Sequence, residues 1–119
     1  MGIDIERVDS ARCETILSQL SDQEINWVRA IGANRLEIAT ALWTIKEALS
    51  KVLCTGLMTP IQIYNLADFQ PMGSGIWEGL FQHFGQYKAV TWIGSFHVLS
   101  VVLPKRSSLV LECNVRQVL

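Results

Sequence analysis

Two periods divide the chain. From about residue 10 to residue 54 the apolar residues recur at helical spacing, and from residue 60 onward they alternate. Ahead of both, Gly2-Ile3-Asp4-Ile5-Glu6 alternates apolar and acidic, which predicts a short strand with both carboxylates on one face. Ser10 is placed to cap a helix running to about Leu20. Ser21 and Glu24 have the spacing of a capping box for a short second helix, which Gly32 would end. Asn34, with Glu37 three residues on, opens a third. Its apolar residues, Ile38, Leu42, Ile45, Leu49 and Val52, carry it to about Cys54, with Gly56 just past the end.

The second half reads as strands at 60–66, 76–84, 87–93 and 97–103, with turns at Gly85-Gln86 and Gly94-Ser95. A further turn at 104–108 leads to a last, edge strand from Leu109 to Cys113. Helices come first and an antiparallel sheet follows, with the opening strand free to join it. The expected class is α+β, in one domain spanning residues 1–119.

The third helix has two faces. At ~100° per residue the apolar residues form one stripe, while Trp43, Glu47, Ser50 and Lys51 fall opposite and Lys46 lies on the flank. Glu47 followed by Lys51 is the favourable orientation for an ordinary solvated pair. Trp43 among these charges is discordant, because a large aromatic packs on something. Taken with the opening strand, the picture changes. Three carboxylates converging from Asp4, Glu6 and Glu47 would repel unless a cation joined them. Hard oxygen ligands in small number suit Mg²⁺, and lysines beside it would match a polyphosphate.

Composition narrows the field. The 119 residues are 50% hydrophobic, carry a net charge of −1 and gather no basic run, so phosphate-driven nucleic-acid binding has little support. No apolar run approaches the ~18 residues that span a bilayer. No secretory signal is visible at the start, so a soluble, cytoplasmic domain is expected. Cys13, Cys54 and Cys113 lie far apart without a Cys-x-x-Cys, which reads as reduced, buried thiols rather than a disulfide or zinc framework.

GIDIE at Gly2–Glu6 and WTIKEALSK at Trp43–Lys51 resemble the two signatures of the 4'-phosphopantetheinyl transferase superfamily, in order and at family-like spacing. Thr55-Gly56-Leu57 with Pro60 resembles the turn that follows. The resemblance implies transfer of the phosphopantetheine arm of coenzyme A to a serine of an apo acyl or peptidyl carrier protein, releasing adenosine 3',5'-bisphosphate. It implies Asp4, Glu6 and Glu47 as Mg²⁺ ligands, with Glu47 the first choice of general base. Lys46 and Lys51 would hold the phosphates, Lys51 also protonating the leaving group. Glu24 aligns with an acidic residue near the metal in larger members, and its capping-box role stands beside that reading. The pathway, whether fatty acid, polyketide or nonribosomal peptide, is left open.

By length the chain is similar to the acyl-carrier-protein synthase type, which is trimeric with sites between subunits. Asp-Ile-Glu, Trp43 and Leu57-x-x-Pro60 are closer to the C-terminal half of the surfactin-synthetase-activating type, whose upstream half supplies a histidine and basic residues for coenzyme A. His83 and His97, each in a strand pattern, offer no clear substitute. The motif beginning at residue 2 leaves self-association into a dimer or trimer, a separate partner, or a non-catalytic half-transferase module that binds carrier protein. Trp77, Phe81, Phe84 and Trp92 cannot all face inward on alternating strands, so part of this set is expected at a subunit interface or stacked beneath the sheet.

Overall fold

The computed structural model describes residues 1–32, 34–55 and 60–107. β1 (Gly2–Arg7) leads through a short 3₁₀ turn into α1 (Cys13–Ser18) and α2 (Asp22–Ile31), then the long α3 (Arg35–Val52). The second half supplies β2 (Leu66–Gly73), β3 (Ile76–Phe81), β4 (Tyr87–Ile93) and β5 (His97–Pro104). All five strands form one antiparallel sheet in the order β1-β5-β4-β3-β2. The α+β class is as expected, and the opening strand does join the sheet, pairing with the last described one.

Local chemistry sets the helix ends. Ser21 and Glu24 form the full capping box at the start of α2, and Gly32 closes it at a positive φ of 76°. The first cap is Asp9 rather than Ser10: its carboxylate accepts from the amide of Ala11 at 3.0 Å, and α1 stops at Ser18, short of Leu20. Asn34 precedes α3 in a left-handed conformation and makes no side-chain cap.

Two strand assignments shift. Ile61–Tyr64 is a 3₁₀ turn, its alternation too short to separate the two geometries, with Tyr64 fully buried and its hydroxyl 2.6 Å from that of Thr55. β2 runs instead through Asp68 and Pro71, residues that argue against a strand. It is an edge strand, where a missing amide donor is tolerated. Gly56, Leu57 and the expected strand from Leu109 to Cys113 lie outside the described residues.

α3 lies across the sheet against β1 and β5, with α1 and α2 on its other side. The expected second face is therefore only partly open: Trp43, Ser50 and the flanking Lys46 are buried, Glu47 is half-buried and Lys51 is exposed. β1 comes very close. A Cβ at Gly2 would stand 2.1 Å from the carbonyl oxygen of Ala48, so this position admits only glycine. Trp77, Phe81 and Phe84 pack with the main core, Trp77 stacking on Phe69 at 4.7 Å. Trp92 belongs to a second cluster with Val101 and Leu103. In β1, Ile3 and Ile5 point away from α3 and stay 51% and 55% exposed. Cys13 is half-buried and Cys54 exposed, both free thiols, so the expectation of buried cysteines fails where the structure describes them. Among the described residues no helix is long and apolar enough to cross a membrane.

Candidate active site

The strand period of β1 turns Gly2, Asp4 and Glu6 toward α3. Gly2 brings the strand against the last turns of that helix, where Glu47 and Lys51 stand one turn apart. Lys51 donates to Asp4 Oδ1 at 2.7 Å and to the carbonyl of Ile3 at 3.0 Å. Glu6 accepts from Arg12 at 2.7 Å. Glu47 is half-buried beside them.

The electrostatics of this corner are those of crowded carboxylates. Burial pushes the Asp4 carboxyl above its ordinary range, opposed by the Lys51 hydrogen bond and reinforced by the charge of Glu6. Burial likewise raises Glu47, and the charges of Asp4 and Glu6 raise it further against Lys51 and Arg12. Three carboxylates thus feel one another while two basic side chains hold them together. Among the described residues Asp4 Oδ2 is buried with no hydrogen-bond donor beside it. Behind Asp4 the contact between sheet and α3 is polar: Thr91 and Ser100 of the sheet and Thr44 of α3 form a buried hydroxyl chain with spacings of 2.8 and 2.9 Å. Ser100 is the strand partner of Asp4.

Lys46 and Glu24 go elsewhere. They form an ion pair of 2.6 Å with both side chains 0% exposed. Lys46 also donates to the Gln19 carbonyl and to Asn65 Oδ1, each at 3.2 Å. Glu24 accepts from the amides of Ser21 and Leu66, both at 2.8 Å. Its carboxylate ties the start of α2, the middle of α3 and the start of β2 into one joint, and burial holds the Lys46 pKa below its ordinary value against the pull of Glu24. The structure brings Asp4, Glu6, Glu47 and Lys51 to one corner and leaves Lys46 and Glu24 in the interior. Arg12 is a site neighbour that sequence reasoning missed. No period links it to Glu6, and only the turn after β1 folds it back. His83 is exposed in the β3–β4 connection rather than in a strand, and His97 opens β5 beside Arg7.

Among the described residues no three carboxylate, thiol or imidazole groups form a ready-made cation cage. The donor set nonetheless suits a hard cation: all-carboxylate, mutually repelling, and with one buried oxygen unpartnered.

The family model of the 4'-phosphopantetheinyl transferase superfamily matches residues 1–101, and the chain belongs to that superfamily. Its members generally use coenzyme A as substrate together with Mg²⁺. A comparison with curated proteins finds no match.

Proposed function

We propose that this chain catalyses Mg²⁺-dependent transfer of 4'-phosphopantetheine from coenzyme A to a serine of an apo acyl or peptidyl carrier protein, as a cytoplasmic enzyme of the holo-acyl-carrier-protein synthase type. The observation that carries the reading is the meeting of Asp4, Glu6, Glu47 and Lys51 at one corner of a superfamily domain. Asp4, Glu6 and Glu47 would hold the cation, which supplies charge stabilisation to a phosphoryl group in transfer.

The serine oxygen bonds to the phosphorus that carries the pantetheine, and the bond from that phosphorus to the adenosine-side phosphate oxygen breaks. Glu47, its proton affinity raised by burial and by the charges of Asp4 and Glu6, takes the hydroxyl proton. Lys51, on a flexible stem and half-exposed, meets the phosphates and stabilises the departing bisphosphate. The reading gives Lys46 and Glu24 the task of fixing α3 against α2 and β2, which holds Glu47, the residue next to Lys46, toward β1.

Self-association belongs to the same reading. Ile3 and Ile5 stay exposed at the edge of the sheet's outer face, beside Val101 and Leu99 of the neighbouring strand, and a second copy of this chain is their proposed partner. The competing function is a non-catalytic module that binds carrier protein. It is favoured by the engagement of Asp4 and Glu6 with basic side chains in the structure. Glu47→Gln separates the two. Loss of transfer with carrier binding kept supports the enzyme, and a wild-type chain that binds carrier and transfers nothing supports the module.

A further inference from the structure

The acidic corner is already charge-compensated by the protein itself. Lys51 and Arg12 face three carboxylates, leaving one net negative charge, and a divalent cation would turn this into one net positive charge. Of the two basic groups, Lys51 sits directly on Asp4, while Arg12 sits on Glu6. The Asp4 side chain is 9% exposed, so its carboxylate is poorly screened, and among the described residues no donor reaches its second oxygen. An ammonium and a divalent cation on the two oxygens of one such carboxylate would repel at short range.

Lys51 is free to leave. Its side chain is 52% exposed, its hydrogen-bond partners among the described residues are Asp4 and the Ile3 carbonyl, and it lies at the C-terminal end of α3, where a four-carbon stem can swing into water. We propose that Lys51 and a divalent cation are alternative partners of Asp4, so that Lys51 is released from Asp4 toward the anionic substrate only when the cation takes its place. Lys51 then acts as a stand-in for the cation first and as a phosphate-binding group afterwards. Binding of cation and of polyphosphate would be coupled through one side chain. The inference rests on the transferase reading for the identity of the anion, but the exchange at Asp4 does not need it.

The test titrates Mg²⁺ into the intact protein by calorimetry, without coenzyme A or carrier protein, for the wild type, Lys51→Met, Lys51→Arg and Asp4→Asn. Removing the competing ammonium is expected to tighten Mg²⁺ binding about two- to fivefold in Lys51→Met, the scale of a half-exposed ion pair. Lys51→Arg should bind as the wild type does, and Asp4→Asn should bind no Mg²⁺. In parallel, amine acylation mapped by mass spectrometry should show Mg²⁺ raising the reactivity of Lys51 several-fold in the wild type while leaving Lys88 unchanged.

Unchanged or weaker Mg²⁺ binding in Lys51→Met overturns the exchange. So does tighter binding without a rise in Lys51 reactivity, which would mean simultaneous occupancy with through-space repulsion only. A chain that shows the exchange yet transfers no phosphopantetheine refutes the functional reading alone. One that transfers and shows no exchange refutes this inference alone.

Discussion

Lys46 and Glu24 stand 2.6 Å apart with neither side chain reaching solvent, and between them they join two helices to the first strand of the second half. Removing one partner leaves a buried charge without compensation. Lys46→Met and Glu24→Gln are each expected to cost about 3–5 kcal/mol in chemical denaturation, while the Glu24→Gln/Lys46→Met double variant should cost much less than the sum of the two. Equal additivity in that cycle would contradict the joint described here.

Glu47 should behave in the opposite way. Its pKa is raised in the folded chain, so the fold binds its proton more tightly than the unfolded chain does. The associated stability is fully present below the ordinary value of 4.5 and is lost as pH rises through the higher folded value. At neutral pH the charge therefore destabilises. Glu47→Gln is expected to raise the melting temperature at pH 7, with the gain shrinking as the pH is lowered toward the ordinary carboxylate range. The same variant should lose transfer activity. A melting temperature lowered at pH 7 would show that the corner is not under strain from like charge.

Gly2 sets how near β1 lies to α3. An added methyl would meet both the Ala48 carbonyl and Val52 Cγ2, at 2.1 and 2.7 Å, so the strand must move rather than a flexible side chain. Gly2→Ala is expected to cost about 3 kcal/mol, the upper range for overpacking, and to weaken Mg²⁺ binding by displacing Asp4. Stability within error of the wild type would mean the strand shifts freely, and the corner would then lack its rigid support.

The outer sheet face gives a separate expectation. If a second copy covers Ile3 and Ile5, light scattering should report a dimer or trimer for the wild type. Ile3→Asp/Ile5→Asp should shift it to monomer without loss of secondary structure, because neither residue is in the core. A wild-type monomer at all concentrations would remove self-association from the account.

The local parts of this protein were legible because they depend on neighbours in sequence. The capping box of α2, the face shared by Asp4 and Glu6, and the turn of helix between Glu47 and Lys51 follow from residues a few positions apart. What escaped was set by long-range packing. A helical wheel puts Lys46 on a flank, but only the placement of α1 and α2 encloses it, and its partner lies in another helix. β2 was hidden by Asp68 and Pro71, tolerable there only because the strand is at the sheet edge. Arg12 reaches Glu6 through a turn whose path no spacing encodes.

The most direct test is intact-mass spectrometry of an apo carrier protein incubated with this chain, coenzyme A and Mg²⁺. The expected result is a gain of one phosphopantetheine, absent with EDTA and absent with Glu47→Gln. A carrier mass unchanged across acyl and peptidyl carriers, from a folded chain shown to bind them, would contradict the claim that this corner performs the transfer.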